Sequence, residues 1–222
     1  MRALLTQAVL LALLLGVCPG LAAERLKVDG TAGNNTLTAI FDEPLGERIT
    51  AVSSAVACDA SWEPKTGLVS GQCQAPLTSI KVDADDVKTG HFRQWTTNKK
   101  SDPAACAFSA RFESVRLPAP LKPDVAQPFT ADIAFRVCGR AREDGAAEHL
   151  SGTVVLLKDG RLRVRARVEH FLREAYRIGP RFTEGWLARV QSLAMVVAQE
   201  GVLELTLFAA PEGWTGPAAP PP

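Results

Sequence analysis

The sequence predicts an all-β fold: one antiparallel barrel of about eight strands, with one or two short helical insertions. Three observations carry this. Short runs with period-two alternation recur along the chain, bounded by Gly, Pro and Asp. Each run has one apolar face, and such faces must be buried by stacking or closing a sheet. Successive runs are joined as hairpins, which favours closing one sheet over packing two.

The runs follow from residue 24. Residues 1–23 read as a secretory signal peptide: Arg2 is the positive end, Leu4 to Val17 is mostly apolar, and Leu21-Ala22-Ala23 offers small residues for cleavage. The apolar stretch is shorter than the roughly 20 residues of a membrane helix. Cys18 raises a lipoprotein anchor as an alternative, but Val17 stands where that signal needs a small residue. Residues 24–222 carry no second apolar span, so the processed chain is expected outside the membrane, periplasmic or secreted.

Asn35–Phe41 alternates as a first strand and Arg48–Cys58 as a second. Lys65-Thr66-Gly67 turns into Leu68–Gln74. After Pro76, Leu77–Val87 reads as a fourth strand and Cys106–Leu117 as a fifth. Between those two lies Thr89–Pro103, a polar stretch read as a helix or loop, longer than ordinary connections. Pro118, Pro120 and Pro123 force a loop before Phe129–Val137. Ser151–Lys158 and Arg161–Val168 flank Asp159-Gly160, read as a two-residue turn. That turn sets Leu157 opposite Leu162 and Val155 opposite Val164. In the second of these strands Leu162, Val164, Ala166 and Val168 share one face, and Arg161, Arg163, Arg165 and Arg167 the other, solvated one. From Thr183 to Glu200 the period becomes helical, with Trp186, Val190, Leu193 and Val197 on one stripe and Gly201 as the stop. Val202–Phe208 is the last strand. Residues 24–210 thus form the domain, and 211–222 a Pro-rich tail expected to be disordered.

Composition narrows function. Without Arg2 the chain has 24 basic and 24 acidic residues, so a nucleic-acid partner is not expected. No GxSxG, HExxH or Gly-rich phosphate loop occurs, and catalysis is not expected. Asp83, Asp85 and Asp86 lack EF-hand spacing, and His91, His149 and His170 are scattered, so no metal site is expected. Asn34-Asn35-Thr36 is a glycosylation sequon, relevant only in a host with that machinery. Cys58, Cys73, Cys106 and Cys138 remain after cleavage, an even number in an exported chain. Three pairings are possible; Cys58–Cys73 and Cys106–Cys138 each join sequential strands and are the pairing expected. Parity resists the second bridge: Cys138 lies on the opposite face from Phe135, so a bulge near Gly139 is required.

Three segments resemble the YceI-like family of exported polyisoprenoid-binding proteins. Thr89-Gly90 with Arg93 is similar to that family's TGN…RDxHL segment, and Lys99, Ser101, Asp102 and Pro103 to its KSxDF. Cys106–Phe112 is similar to its PTITFKS strand, and Phe171–Gly179 to its NRxDFGI segment. Gln94 replaces the family's Asp, Trp95-Thr96-Thr97 replaces its His, and its LTLHGVTKPV is reduced to Phe135–Arg140. The resemblance implies a lipocalin-like barrel that holds a long isoprenoid or other amphiphile inside.

On that reading Phe108, Ala110, Phe112, Phe129, Ile133, Phe135, Leu162, Val164 and Val168 line the interior, and Arg93, Trp95 and Tyr176 sit at the mouth near a polar head group. The expected partner is a hydrophobic or amphiphilic small molecule. No cofactor is expected beyond a bound isoprenoid lipid, and a homodimer is compatible with the sequence. The competing expectation is an exported barrel with a filled interior that acts through its surface as an envelope adaptor.

Overall fold

The structure is a computed structural model describing residues 23–42, 46, 48–97, 102–179 and 197–215. It contains strands β1 (Glu24–Val28), β2 (Thr36–Asp42), β3 (Arg48–Ser53), β4 (Ala57–Glu63), β5 (Leu68–Pro76) and β6 (Lys81–Val82). The helix α1 (Asp86–Thr97) follows, then β7 (Ala107–Arg116), β8 (Gln127–Val137), β9 (Arg140–Ala141), β10 (Glu148–Leu156), β11 (Leu162–Leu172) and β12 (Glu200–Pro211). The order β1-β4-β5-β7-β8-β10-β11-β12 closes on itself through a β12–β1 pairing, giving an eight-stranded antiparallel barrel. The expected fold class is the observed one.

Closure depends on a broken strand. β12 pairs with β2 along Gly201–Thr206 and with β1 at Ala210 and Pro211. Asn35 bridges the gap between β1 and β2. Its buried amide donates to the Asp29 carbonyl at 2.8 Å and accepts from the Phe208 N–H at 2.7 Å. It supplies hydrogen bonds that the interrupted ladder lacks, as buried backbone groups require.

Alternation decides the interior. Ala131, Ile133, Phe135 and Val137 of β8 are buried and alternate with exposed residues, and Ala166 and Val168 of β11 likewise. A left-handed Ser114 and a register shift in β7 separate Phe112 from Val115, so both line the interior despite their odd spacing. A second bulge, between Val168 and Phe171, does the same in β11. Arg165 and Arg167 are exposed, as the outer face demands. Gly152 lets the β10 and β11 backbones approach closely; a Cβ there would lie 2.3 Å from the Arg165 carbonyl oxygen.

Several sequence expectations are corrected. Leu77–Val87 is not a strand. Pro76 ends β5, Leu77–Ser79 forms a 3₁₀ turn, and only Lys81–Val82 pairs, with β3. Asp83 and Ala84 then take left-handed φ values of 50° and 56°, and Asp85 caps α1 by accepting the Lys88 N–H at 2.8 Å. The polar excursion is therefore a helix that begins at Asp86, before Thr89. The second expected strand breaks after Ser53 and resumes as β4 through Glu63, and β1 was not anticipated.

The Asp159-Gly160 hairpin is one residue out of the expected register: Leu156 opposes Leu162, and Val154 opposes Val164. The loop holds three residues, not two. The Gly160 N–H bonds to the Leu157 carbonyl, the Leu157 N–H bonds to the Arg161 carbonyl, and Gly160 has φ 85°. A type I turn followed by a left-handed residue gives this wider hairpin.

Both expected disulfides are present. Cys58 and Cys73 are directly opposed on β4 and β5, with Cα atoms 4.1 Å apart. Cys138 escapes the parity conflict because it lies beyond β8, in a turn with φ 48° beside Gly139 at φ 76°. That turn swings its side chain to Cys106, Cα to Cα 4.6 Å.

Residues 183–196 of the expected helical stripe, the Lys99–Ser101 part of the quoted motif, residues 1–22 and the tail from 216 lie outside the described residues. The described end of that stripe is not helical: Val197–Gln199 are irregular, and Glu200 and Gly201 already belong to β12. Residues 211–215, expected to begin the tail, are anchored instead. The Trp214 indole donates to the Asp159 carbonyl at 2.9 Å, and the Arg161 guanidinium lies 4.7 Å from its ring centroid. Among the described residues no helix is long and apolar enough to cross a membrane, and no group of metal-ligating side chains gathers.

Candidate functional site

The barrel holds a cavity of about 170 Å³. Strand parity brings Phe108, Ala110, Phe112, Phe129, Ile133, Phe135, Leu162, Val164 and Val168 to its wall, all nine of the residues expected there. Leu26 and Val28 of β1, Val69 of β5 and Leu205 of β12 complete one end, with the Cys58–Cys73 bridge among them. Gln74 and Arg167 are the polar residues of this wall. Such a lining offers mainly dispersion contact, which suits a hydrocarbon.

A second cavity of about 230 Å³ lies beneath α1. Phe92 and Trp95 of the helix cover it, and Ala39, Phe41, Ile49 and Ala51 of β2 and β3 form its opposite side. Lys88, His91 and Arg173 also border it. The helix is held over this end by specific polar contacts. Asp83 accepts the Thr50 N–H of β3 at 2.8 Å and the Lys88 ammonium of α1 at 2.7 Å. Partial burial works against the charged form of Asp83, yet these bonds together hold its pKa below the ordinary value. At the other end of α1, the Arg140 guanidinium donates to the Thr96 carbonyl, where the helix leaves carbonyls unpaired, and to the Tyr176 carbonyl at 3.1 Å.

A cluster of rings adjoins both cavities. Phe171 stacks on Tyr176 at 5.2 Å, and Phe135 meets both edge-on at 5.7 and 5.5 Å. Phe41 meets Phe171 at 6.4 Å, and Phe108 meets Phe135 at 6.1 Å. Edge-to-face and offset pairs at such distances each add about 1 kcal/mol beyond area burial.

The three residues expected at the mouth separate. Trp95 covers the second cavity, half-buried. Arg93 borders neither cavity; its guanidinium donates to the Thr78 carbonyl at 2.6 Å, in the turn that replaced the expected strand. Tyr176 is fully buried, and its hydroxyl donates to Glu148 at 2.7 Å. Burial and the neighbouring Glu148 carboxylate both push its pKa upward.

Sequence reasoning missed two buried charges nearby. Glu148, 2 % exposed, accepts from Tyr176 and from Arg142 at 3.1 Å, so its charge is paired. Arg173, 3 % exposed, donates to the carbonyls of Ala198, Ile178 and Val197 at 2.9, 2.8 and 3.2 Å. Desolvation lowers its pKa, partly opposed by the adjacent Glu174. The signal available was an arginine in the NRxDFGI-like segment, but nothing in the strand pattern said that it points inward.

A closed eight-stranded barrel around an apolar cavity defines a lipocalin-like class of protein. The fold is shared with a solved polyisoprenoid-binding domain from Saccharophagus degradans, implicated in plant cell wall breakdown. The two superpose with a TM-score of 0.56 over 84 % of this chain and 98 % of that one, at 14 % sequence identity. No family model and no curated protein matches the sequence. The likeness to the YceI-like pattern therefore stands at the level of the fold.

Proposed function

We propose that this chain is an exported binding protein, not an enzyme, that carries a long-chain amphiphile of the polyisoprenoid type inside its barrel. The observation that supports it is the cavity of about 170 Å³ in the barrel, whose apolar walls suit a segment of such a chain. An apolar cavity of roughly 150 Å³ stays dry and takes up small apolar molecules. Burying an alkyl chain there gains about 25 cal/mol per Å² removed from water. The two disulfides suit an oxidising compartment, consistent with a periplasmic or secreted protein.

The ring cluster at the α1 end favours a second reading, a barrel filled for stability that acts through its surface. Filling the remaining space separates the two. Val164 lines the cavity and is partly buried, so Val164→Phe adds volume into empty space. Titration with a fluorescent fatty-acid probe should show binding by the wild-type protein and at least about tenfold weaker binding by Val164→Phe, with melting temperature retained. Equal probe binding by the two proteins, or none by the wild type, would favour the surface-acting barrel.

A further inference from the structure

The two cavities share a wall, and among the described residues Phe108 is the side chain that lines both. Its ring stacks on Phe92 of α1 at 6.1 Å on one side and tilts against Phe135 at 6.1 Å on the other. Neither cavity reaches the roughly 300 Å³ at which small-molecule sites begin, whereas the two joined exceed it. A long chain therefore has no room in either half alone. A core phenylalanine packed on all sides cannot change rotamer without displacing neighbours. Phe108 borders both cavities, so a change of size at this position meets space on each side.

We infer that the two cavities are one binding site divided by Phe108, and that this residue sets the length of chain the site accepts. The inference rests on the binding function proposed above. Its occupant is a single-chain amphiphile with an anionic head group beneath α1 and its tail directed past Phe108 into the barrel. The head lies at that end because the Lys88 and Arg173 cations and His91 border it, while the other cavity is lined by apolar residues such as Leu26, Val28 and Val69. Lys88 is bonded to Asp83 and Arg173 to three carbonyls. A guanidinium has five N–H donors, so Arg173 keeps donors for a ligand oxygen.

The test is a chain-length series of saturated fatty acids, from octanoate to eicosanoate, titrated into the processed wild-type chain and into Phe108→Leu, Phe108→Ala and Phe108→Trp. The readout is the ratio of long-chain to short-chain affinity within each protein, which a general loss of stability leaves unchanged. Phe108→Leu and Phe108→Ala should raise that ratio by about tenfold, as two further buried methylenes would. Phe108→Trp should lower it. Should Phe108→Ala fail to fold, the Leu and Trp variants, which keep a bulky apolar group, decide the matter, with thermal melts as the control. A length profile that is the same whatever occupies position 108 overturns the partition while leaving the binding function standing. Failure of every acid to bind the wild type overturns both.

Discussion

Tyr176 is the sole tyrosine of the chain, and this makes its buried pairing with Glu148 measurable. Its hydroxyl and Arg142 both bond Glu148, leaving a satisfied buried carboxylate. Tyr176→Phe would remove one of these bonds and leave Glu148 buried with Arg142 alone, at a loss of roughly 1–3 kcal/mol in denaturant unfolding. The pH dependence follows from the direction of the shift. Burial first, then Glu148, raises the phenol's pKa above its ordinary 10.0. A group with a raised folded pKa stabilises fully below its unfolded pKa, and that contribution fades as pH climbs toward the folded value. Tyrosinate absorbance should therefore stay silent near pH 10 while the protein is folded, and appear only with alkaline unfolding. A free titration near pH 10 in the intact fold would contradict the buried placement. None of this was legible in the sequence, where Tyr176 reads as an amphipathic residue suited to a mouth. Its burial depends on Glu148, many residues away, and no local pattern announces that partner.

At the level of elements, legibility followed the rigidity of the rule. Period-two alternation is set by the pleat itself, so all nine expected interior residues line one cavity. Alternation misled at Leu77–Val87, where Ile80 and Val82 continue the pattern into a turn and Asp85 is already a helix cap. The capping aspartate was the stronger signal there, because it satisfies N–H groups that a strand would not leave open. The Asp159-Gly160 hairpin misled in the same manner, since one turn dipeptide serves both a two-residue and a three-residue loop. The disulfides were readable from strand adjacency, and they should not contribute equally. Cys58–Cys73 closes a separation of 15 residues and Cys106–Cys138 one of 32. In the chain-entropy treatment these correspond to about 3 and about 4 kcal/mol. Cys106→Ser/Cys138→Ser should accordingly lower the urea midpoint more than Cys58→Ser/Cys73→Ser. The reverse order would show that the Cys58–Cys73 bridge acts through the cavity wall it lines, not through the unfolded chain.

For the whole molecule, closure and filling compete. Eight strands make a barrel whose interior side chains just fill, or which holds one small ligand. Here a ring cluster occupies one part and adjoins both cavities, so the molecule lies between a solid core and a hollow carrier. Strand counting and parity led to the barrel and its wall, but they carry no information about how far bulky inward residues interdigitate. The rings decide that, through contacts between strands distant in sequence. The central claim is that an apolar chain occupies this interior. Native mass spectrometry of the processed protein, purified without detergent and then extracted with organic solvent, tests it most directly. The account predicts a stoichiometric adduct that extracts as an isoprenoid or acyl lipid. A bare protein mass that persists after incubation with such lipids would contradict it.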